Sequence, residues 1–413
     1  MELIQIVIYV SIYIGLVATT FYILSFIKGR EKTPLLFKDN ELPKVSVIIP
    51  AYNEENTIEK TIKSILASDY PKEKLEVIII DDGSKDNTFK TARKYESSFV
   101  RVYSQKNQGK GAALNFGLKK CHGEIFFSMD ADTRVDSNSL KSMVRYFKDE
   151  KIMSVTPSML IETPKNILQR IQYTEYILGL FLRKTFAFLN AIHITPGAFS
   201  AYRMSFIKEY GGYDVGNVTE DLELALRIQF NGYRIENDSN ALVYTIAPSK
   251  FSHLLKQRRR WYVGLINNLW NYRKMINPKY GDMGMFVIPI ALISIFFSVF
   301  VTFYLFIKTL LDVKKQILFL NSINFDLENT FKLNLHVVEK ALFLLLTNPI
   351  IIFILLFMVV IGGYIFYASK KVGKMPGLVI TLPLFILCFA ILFGFWWLVS
   401  LPYILLNKKV SWK

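Results

Sequence analysis

The sequence predicts an α/β domain, a mainly parallel sheet with helices on both faces, joined to an α-helical transmembrane bundle. Three observations carry that fold class. Short apolar runs alternate with helical stretches between residues 44 and 130. The strand-like runs are apolar without interruption, the pattern of strands buried on both faces rather than on one. Outside this region lie uncharged runs that reach about 20 residues, enough to cross the hydrocarbon core of a bilayer.

The elements follow in order. Residues 3–27 carry no charge and are mostly Ile, Val, Leu, Tyr and Phe. No basic segment precedes them, and Lys28, Arg30 and Lys32 follow, so residues 1–28 read as an uncleaved anchor rather than a signal peptide. The same cations put its C-terminal side in the cytosol. Residues 44–275 are then a cytosolic domain. Residues 45–49 make a strand that stops at Pro50, and 54–67 repeat Ile58, Ile62, Ile65 and Leu66 at helical spacing. Residues 77–80 are the second strand and end in Asp81-Asp82-Gly83-Ser84. A helix over 85–96, a strand over 100–103, a helix over 109–120 and a strand over 125–129 complete the alternation. Residues 164–194 mix Ile167, Ile171, Ile177 and Phe181 with Arg170, Glu175 and Arg183, an amphipathic helix for the membrane interface or for the catalytic core. Residues 325–341 are a weaker candidate of the same kind.

Apolar runs at 284–307, 343–367 and 378–406 supply about three further spans, four in all, with kinks expected at Pro289, Pro383 and Pro402. The loop with Lys370, Lys371 and Lys374 then falls on the cytosolic side, in accord with the positive-inside tendency. The tail with Lys408, Lys409 and Lys413 falls outside, against it.

Composition narrows the function. The chain has 413 residues, is 52% hydrophobic and contains 33 Phe, too apolar for an ordinary soluble protein. Its formal charge of +16 fits anionic lipid or a phosphate-bearing substrate. Nucleic acid is disfavoured, because no basic-aromatic platform or helix-turn-helix accompanies the charge. The two cysteines, Cys121 and Cys388, form neither a disulfide framework nor a zinc spacing.

Ligands of parallel sheets bind beyond the carboxyl ends of the strands. Three strands deliver polar groups to that rim: Tyr52-Asn53-Glu54, Asp81-Asp82 and Asp130-Ala131-Asp132. Side chains two apart in an extended segment point the same way, so Asp130 and Asp132 can face one Mg²⁺ or Mn²⁺. Taken singly, the pair is also an acidic turn. Asp81 and Asp82 can accept hydrogen bonds from a ribose or a pyrimidine edge, or simply shape a strand-to-helix turn. Tyr52 offers a platform for a base. Gly109-Lys110-Gly111 opens a helix whose amides, with Lys110, attract phosphate. Thr219-Glu220-Asp221 caps another helix; Glu220 and Asp221 are the candidate catalytic acids, with Asp221 the general base for an acceptor hydroxyl. In Gln257-Arg258-Arg259-Arg260-Trp261, Arg260 suits a departing diphosphate, Trp261 a sugar face and Gln257 an amide hydrogen bond. A positive flank for the next span explains the arginines equally well, but not the tryptophan. Phe199, Tyr202 and His193 are candidates for the acceptor cleft, His193 equally an interior histidine.

In order and spacing these motifs, with Gly197-Ala-Phe-Ser-Ala-Tyr-Arg203, resemble the processive family 2 glycosyltransferases of membranes, among them the cellulose, hyaluronan and poly-N-acetylglucosamine synthases. The motifs cover residues 44–275. The resemblance implies a GT-A-type domain, a uridine-diphospho-sugar donor and inverting, metal-dependent hexosyl or N-acetylglucosaminyl transfer at the plasma membrane. By matching positions it implies that Tyr52 and Asp82 hold uracil, Asp130 lies near ribose and diphosphate, and Asp132 ligates the metal. Asp221 becomes the base, while Gln257, Arg260 and Trp261 serve the diphosphate and the acceptor end. The spans would pass a growing polysaccharide outward, and their small number points to an accessory membrane subunit or an oligomer. The rival expectation is a single transfer to a lipid such as a ceramide or a polyprenyl phosphate.

Overall fold

The computed structural model describes residues 3–29, 37, 41–323, 325, 335–372, 378–406 and 408. Arg30, Lys32, Lys374, Lys409, Lys413 and most of 325–341 lie outside them, so the expectations placed there are not addressed. The chain divides into two compact units, one of Tyr22–Pro289 with Tyr403–Lys413, the other of Met1–Phe21 with Ile290–Pro402.

The first unit is built on an eight-stranded sheet. Its strands are β1 (Val45–Ala51), β2 (Leu75–Asp81), β3 (Val100–Ser104), β4 (Ile125–Met129), β5 (Arg134–Val135), β6 (Ile152–Ile161), β7 (Phe199–Arg203) and β8 (Arg234–Thr245), in the order β3-β2-β1-β4-β7-β6-β8-β5. The half predicted from sequence is parallel, with Val45 of β1 opposite Leu75 of β2 and Ile125 of β4. The other half is mixed: β7 runs antiparallel to both β4 and β6, and β6 is parallel to β8.

The unbroken apolar strands divide between two cores, because successive side chains point to opposite faces. Val45, Val47, Ile49, Val77, Ile79 and Phe127 pack on one face with Ile58, Ile62 and Ile65 of the helix Ile58–Leu66. Ile48, Ile78, Ile80 and Phe126 pack on the other. There they meet Ala113 and Leu114 of α4 (Lys110–Leu118) and Leu224, Ala225 and Ile228 of α8 (Glu220–Phe230). Each fully buried branched side chain contributes about 1.5–3 kcal/mol, so this double face is what the strand composition stabilises.

Residues 164–194 contain the helix α6 (Ile167–Phe188), capped by the Asn166 side chain, which accepts the Gln169 amide at 2.9 Å. Its first turns lie on the sheet side. Gln169 and Gln172 donate to the carbonyls of Ala247 and Pro248 at 2.8 and 3.0 Å. The long helix α9 (Phe251–Asn271) follows β8.

The second unit is helical. Among the described residues three helices are long and apolar enough to cross a membrane: Ile4–Lys28, Met283–Ser322 and Thr381–Leu405, with a shorter apolar stretch at Ile351–Gly363. Pro383 and Pro402 lie inside the last of them.

Candidate active site

The carboxyl ends of β1, β2 and β4 meet at one rim of the sheet because those strands are parallel and adjacent. Tyr52, Asn53 and Glu54 leave β1 there, Asp81 and Asp82 leave β2, and Asp130 and Asp132 leave β4. β7 joins them from the opposite direction. Being antiparallel to β4, it starts where β4 ends, with Phe199 opposite Met129. The Asp130 amide donates to the Ala198 carbonyl at 3.1 Å, fixing the Gly197 segment beside the aspartates.

The centre of the rim is an ionic cluster. Lys110 Nζ lies 2.6 Å from Asp130 Oδ1 and 3.3 Å from Glu220 Oε1. A Cβ added at Gly197 would sit 2.4 Å from Lys110 Nζ and 3.6 Å from Asp221 Oδ2, so the glycine lets the ammonium reach its partners. Asp221 is held by backbone alone: Oδ2 accepts the Gly197 amide at 3.1 Å and Oδ1 the Leu222 amide at 2.9 Å. Thr195 Oγ1 donates to the Asp221 carbonyl at 2.8 Å. Both carboxylate oxygens of Asp221 are thereby oriented while the residue stays half-buried, as a positioned base must be. Glu220 is 3% exposed, which suits it to holding Lys110 rather than meeting substrate.

Electrostatics follow from that packing. Burial alone would drive Lys110 toward neutrality, but Asp130, Glu220 and Asp221 outweigh it and hold its pKa above the ordinary lysine value. Burial raises the pKa of Glu220, an effect that Lys110 only partly offsets. Asp132 is pushed up to about 7, first by burial and then by the neighbouring charges of Asp130 and Glu54. A carboxylate crowded by two others is a group that a divalent cation with oxygen ligands would relieve. Among the described residues no group of three or more His, Cys, Asp or Glu side chains is placed to hold a metal ion. Asp130 and Asp132 alone could serve an ion such as Mg²⁺, which takes one or two carboxylates and completes its shell with water and substrate phosphate.

The base-side residues behave differently from one another. Asp82 accepts three hydrogen bonds from one loop: from Gln105 Nε2 at 2.7 Å, the Gln108 amide at 3.0 Å and the Gly109 amide at 2.8 Å. Its carboxylate thus shapes the loop that leads into Lys110. Asp81 accepts from Ser104 Oγ at 3.1 Å and the Ser84 amide at 3.3 Å through Oδ2, while its buried Oδ1 has no partner. The loop after β1 is stitched to the loop after β2: Asn53 donates its amide to Ser84 Oγ at 2.9 Å and accepts from the Lys85 amide at 2.8 Å. Tyr52 stands half-buried beside that seam.

The helix α9 supplies the third side. Gln257, Trp261, Gly264 and Asn268 recur at helical spacing on one stripe. A Cβ at Gly264 would fall 2.2 Å from Thr219 Oγ1, and Asn268 Nδ2 donates to the same Oγ1 at 3.0 Å, so this stripe is laid against the start of α8. The three arginines of the motif diverge. Arg260 is near enough for its charge to act on Glu220. Arg259 donates to Tyr403 Oη at 2.7 Å. Arg258, 5% exposed, makes paired bonds of 2.6 and 2.7 Å to Glu175 of α6, and its guanidinium lies 4.5 Å from the Trp261 ring centroid.

Sequence reasoning missed Gly264, placed Glu175 only on an amphipathic helix and Gly197 only at the head of a motif, and gave Arg258 no role of its own. A lone acid on the amphipathic helix, four residues before Gly179, was the only signal for Glu175. Two further expectations are corrected. Phe199 and Tyr202 do not line a cleft but are buried in the sheet, Phe199 packed 4.7 Å from the Phe127 ring and Tyr202 bonded to Thr195 Oγ1 at 2.9 Å. Lys110, expected to await phosphate at a helix start, is committed to carboxylates. For His193 the second of its two readings fits better: it is half-buried, its Nδ1 lies 3.2 Å from the Ala191 carbonyl, and burial lowers its pKa.

Fold and rim together define a nucleotide-diphospho-sugar-binding domain of the GT-A type. Residues 46–211 match the glycosyl transferase family 2 domain. It is 34% identical over 263 residues to the poly-beta-1,6-N-acetyl-D-glucosamine synthase of Staphylococcus aureus, covering 62% of this chain and 63% of that one. To the synthase of Staphylococcus epidermidis it is 32% identical over 276 residues, covering 64% and 66%. The chain thus spans a little under two thirds of the length of these curated relatives. In three dimensions it superposes on the mannosyltransferase PcManGT of Pyrobaculum calidifontis, solved with GDP-Man and Mn²⁺, at a TM-score of 0.62 and 17% identity, over 98% of this chain and all of that one.

Proposed function

We propose that this protein is a membrane-embedded inverting glycosyltransferase that moves N-acetylglucosamine from a uridine-diphospho donor onto the terminal hydroxyl of a growing β-1,6-linked polysaccharide and delivers the product across the plasma membrane. The observation that carries the reading is the convergence of Glu54, Asp130, Asp132, Glu220 and Asp221 with Lys110 at one sheet rim, in a chain related to poly-N-acetylglucosamine synthases. Three long apolar helices support the membrane location.

The residues divide the work. Tyr52 stacks on the base, Asp81 braces the end of β2 through Ser104 and Ser84, and Asp82 holds the Gln105–Gly109 turn that walls the nucleotide. Asp132 and Asp130 would hold Mg²⁺ or Mn²⁺ beside the donor diphosphate. When bound, that ion neutralises the charge that develops on the leaving group. Asp221 takes the proton from the acceptor hydroxyl as its oxygen bonds to the anomeric carbon. The bond from that carbon to the phosphate oxygen breaks, UDP departs toward Arg260, and the configuration inverts. Lys110 holds Asp130 and Glu220 in place, and Trp261 with Gln257 seats the acceptor sugar. Positioning of base and acceptor in this way is worth about 10²–10⁴-fold.

The test is product analysis. Purified protein in liposomes with Mn²⁺ and UDP-N-acetylglucosamine should give a ladder of oligosaccharides that lengthens with time. A single glycolipid of fixed size would instead establish the lipid-acceptor alternative.

A further inference from the structure

Among the arginines of the Gln-Arg-Arg-Arg-Trp motif, Arg258 is bound to Glu175, a contact that neither the donor nor the base requires. We infer that Glu175 and Arg258 form a positioning pair that sets the plane of Trp261 and so governs acceptor affinity; the inference rests on the acceptor role proposed above for Trp261. The geometry is specific. Arg258 Nη1 and Nη2 each meet one oxygen of Glu175, at 2.6 and 2.7 Å, a fork that fixes the guanidinium plane. The guanidinium carbon lies over the Trp261 ring, 4.5 Å from its centroid, three residues further along α9.

The pair joins two helices that are distant in sequence, Glu175 on α6 and Arg258 on α9. It is shielded: Arg258 is 5% exposed, and its charge is felt by Tyr176 and Tyr262, which flank it. Topology alone asks only for positive charge beside a span, not for a buried bidentate partner on another helix. Stacking, in contrast, leaves the opposite face of an indole available to a sugar and limits its rotamer choice. Lysine cannot reproduce either the fork or the planar stack. Glu175 therefore acts on the acceptor through Arg258 and Trp261 rather than by touching it.

The experiment is a double-mutant cycle read on acceptor saturation with short β-1,6-linked N-acetylglucosamine primers at fixed, saturating UDP-N-acetylglucosamine. Glu175→Gln keeps shape and volume but loses half of the charged fork. It should raise the acceptor KM about tenfold, leave kcat within about twofold and leave binding of the donor unchanged. Trp261→Ala should raise the acceptor KM at least as much, and adding Glu175→Gln to it should change KM no further. If the two effects multiply, Glu175 does not work through Trp261 and the inference is overturned while the acceptor role stands. An unchanged acceptor KM in Trp261→Ala overturns that role and the inference with it. Should Glu175→Gln fail to bind donor, Arg258→Lys runs the same cycle with the same two readings.

Discussion

Gly264 offers a sharp probe of how α9 is seated. A methyl group there would meet Thr219 Oγ1 at 2.2 Å, Cγ2 at 2.4 Å and Cβ at 2.9 Å. Rotating the threonine cannot clear it, because both γ positions and the Cβ itself stand in the way. Restoring an ordinary contact of about 3.4 Å requires a movement of roughly 1.2 Å, which α9 must make by backing away from the start of α8. Alanine in a helix interior gains about 1 kcal/mol over glycine, while overpacking costs about 1–3 kcal/mol, so the net stability loss in Gly264→Ala is modest, about 0–2 kcal/mol. Catalysis is less forgiving. A misplacement of about 1 Å between reacting groups costs on the order of 100-fold, and Arg260, Gln257 and Trp261 would all shift relative to Asp221. UDP release in the presence of primer, measured beside a melting curve, should show that loss of turnover with only a small drop in melting temperature. Gly179→Ala is the control: a Cβ there meets nothing within 4 Å, so activity should be retained. Wild-type turnover in Gly264→Ala would refute the seating of α9 against Thr219.

Other consequences follow from the charges at the rim. Asp132 has a folded-state pKa of about 7 against an ordinary value of 3.8, so the folded protein binds that proton more tightly than the unfolded chain. The resulting stability is fully present below the unfolded value and is lost as pH rises through about 7. Metal-free melting temperatures between pH 5 and 8 should therefore fall more steeply in wild type than in Asp132→Asn, and equal slopes would contradict the crowding of Asp132. Mn²⁺ should raise the melting temperature of wild type near pH 8 and leave Asp132→Asn nearly unmoved, a difference that thermal shift reads directly. Gly197→Ala would crowd Lys110 Nζ to within 2.4 Å and should lower turnover at least tenfold by detaching it from Asp130 and Glu220, whereas unchanged kinetics would show the cluster to be tolerant.

Part of this architecture was legible in the residues and part was not. β1, β2 and β4 announced themselves because strands buried on both faces are mostly apolar, β3 (Val-Arg-Val-Tyr-Ser) by its place in the alternation, and the rim aspartates then followed from strand direction alone. β8 did not, since its Asn237-Asp238-Ser239-Asn240 stretch has poor strand propensity. Tertiary contacts override it: Asn237 Nδ2 donates to the carbonyls of Thr156 and Pro157 at 3.1 and 3.3 Å, where the β6–β8 register shifts. The motif acids were readable singly, but their pairing was not. Nothing in Gly109-Lys110-Gly111 indicates that Lys110 turns toward Asp130 and Glu220, partners 20 and 110 residues away, rather than toward solvent phosphate. The same holds for Arg258, whose partner sits on a helix that amphipathicity alone left between membrane and core.

In the proposed reaction Asp221 activates the acceptor beside the Lys110–Asp130–Glu220 cluster. The most direct test compares Asp221→Asn with wild type in two assays on one preparation: equilibrium binding of UDP-N-acetylglucosamine with Mn²⁺, and transfer to primer. The account predicts unchanged donor binding with transfer reduced by about 10²–10⁴-fold. Transfer at the wild-type rate, or donor binding lost together with transfer, would contradict it.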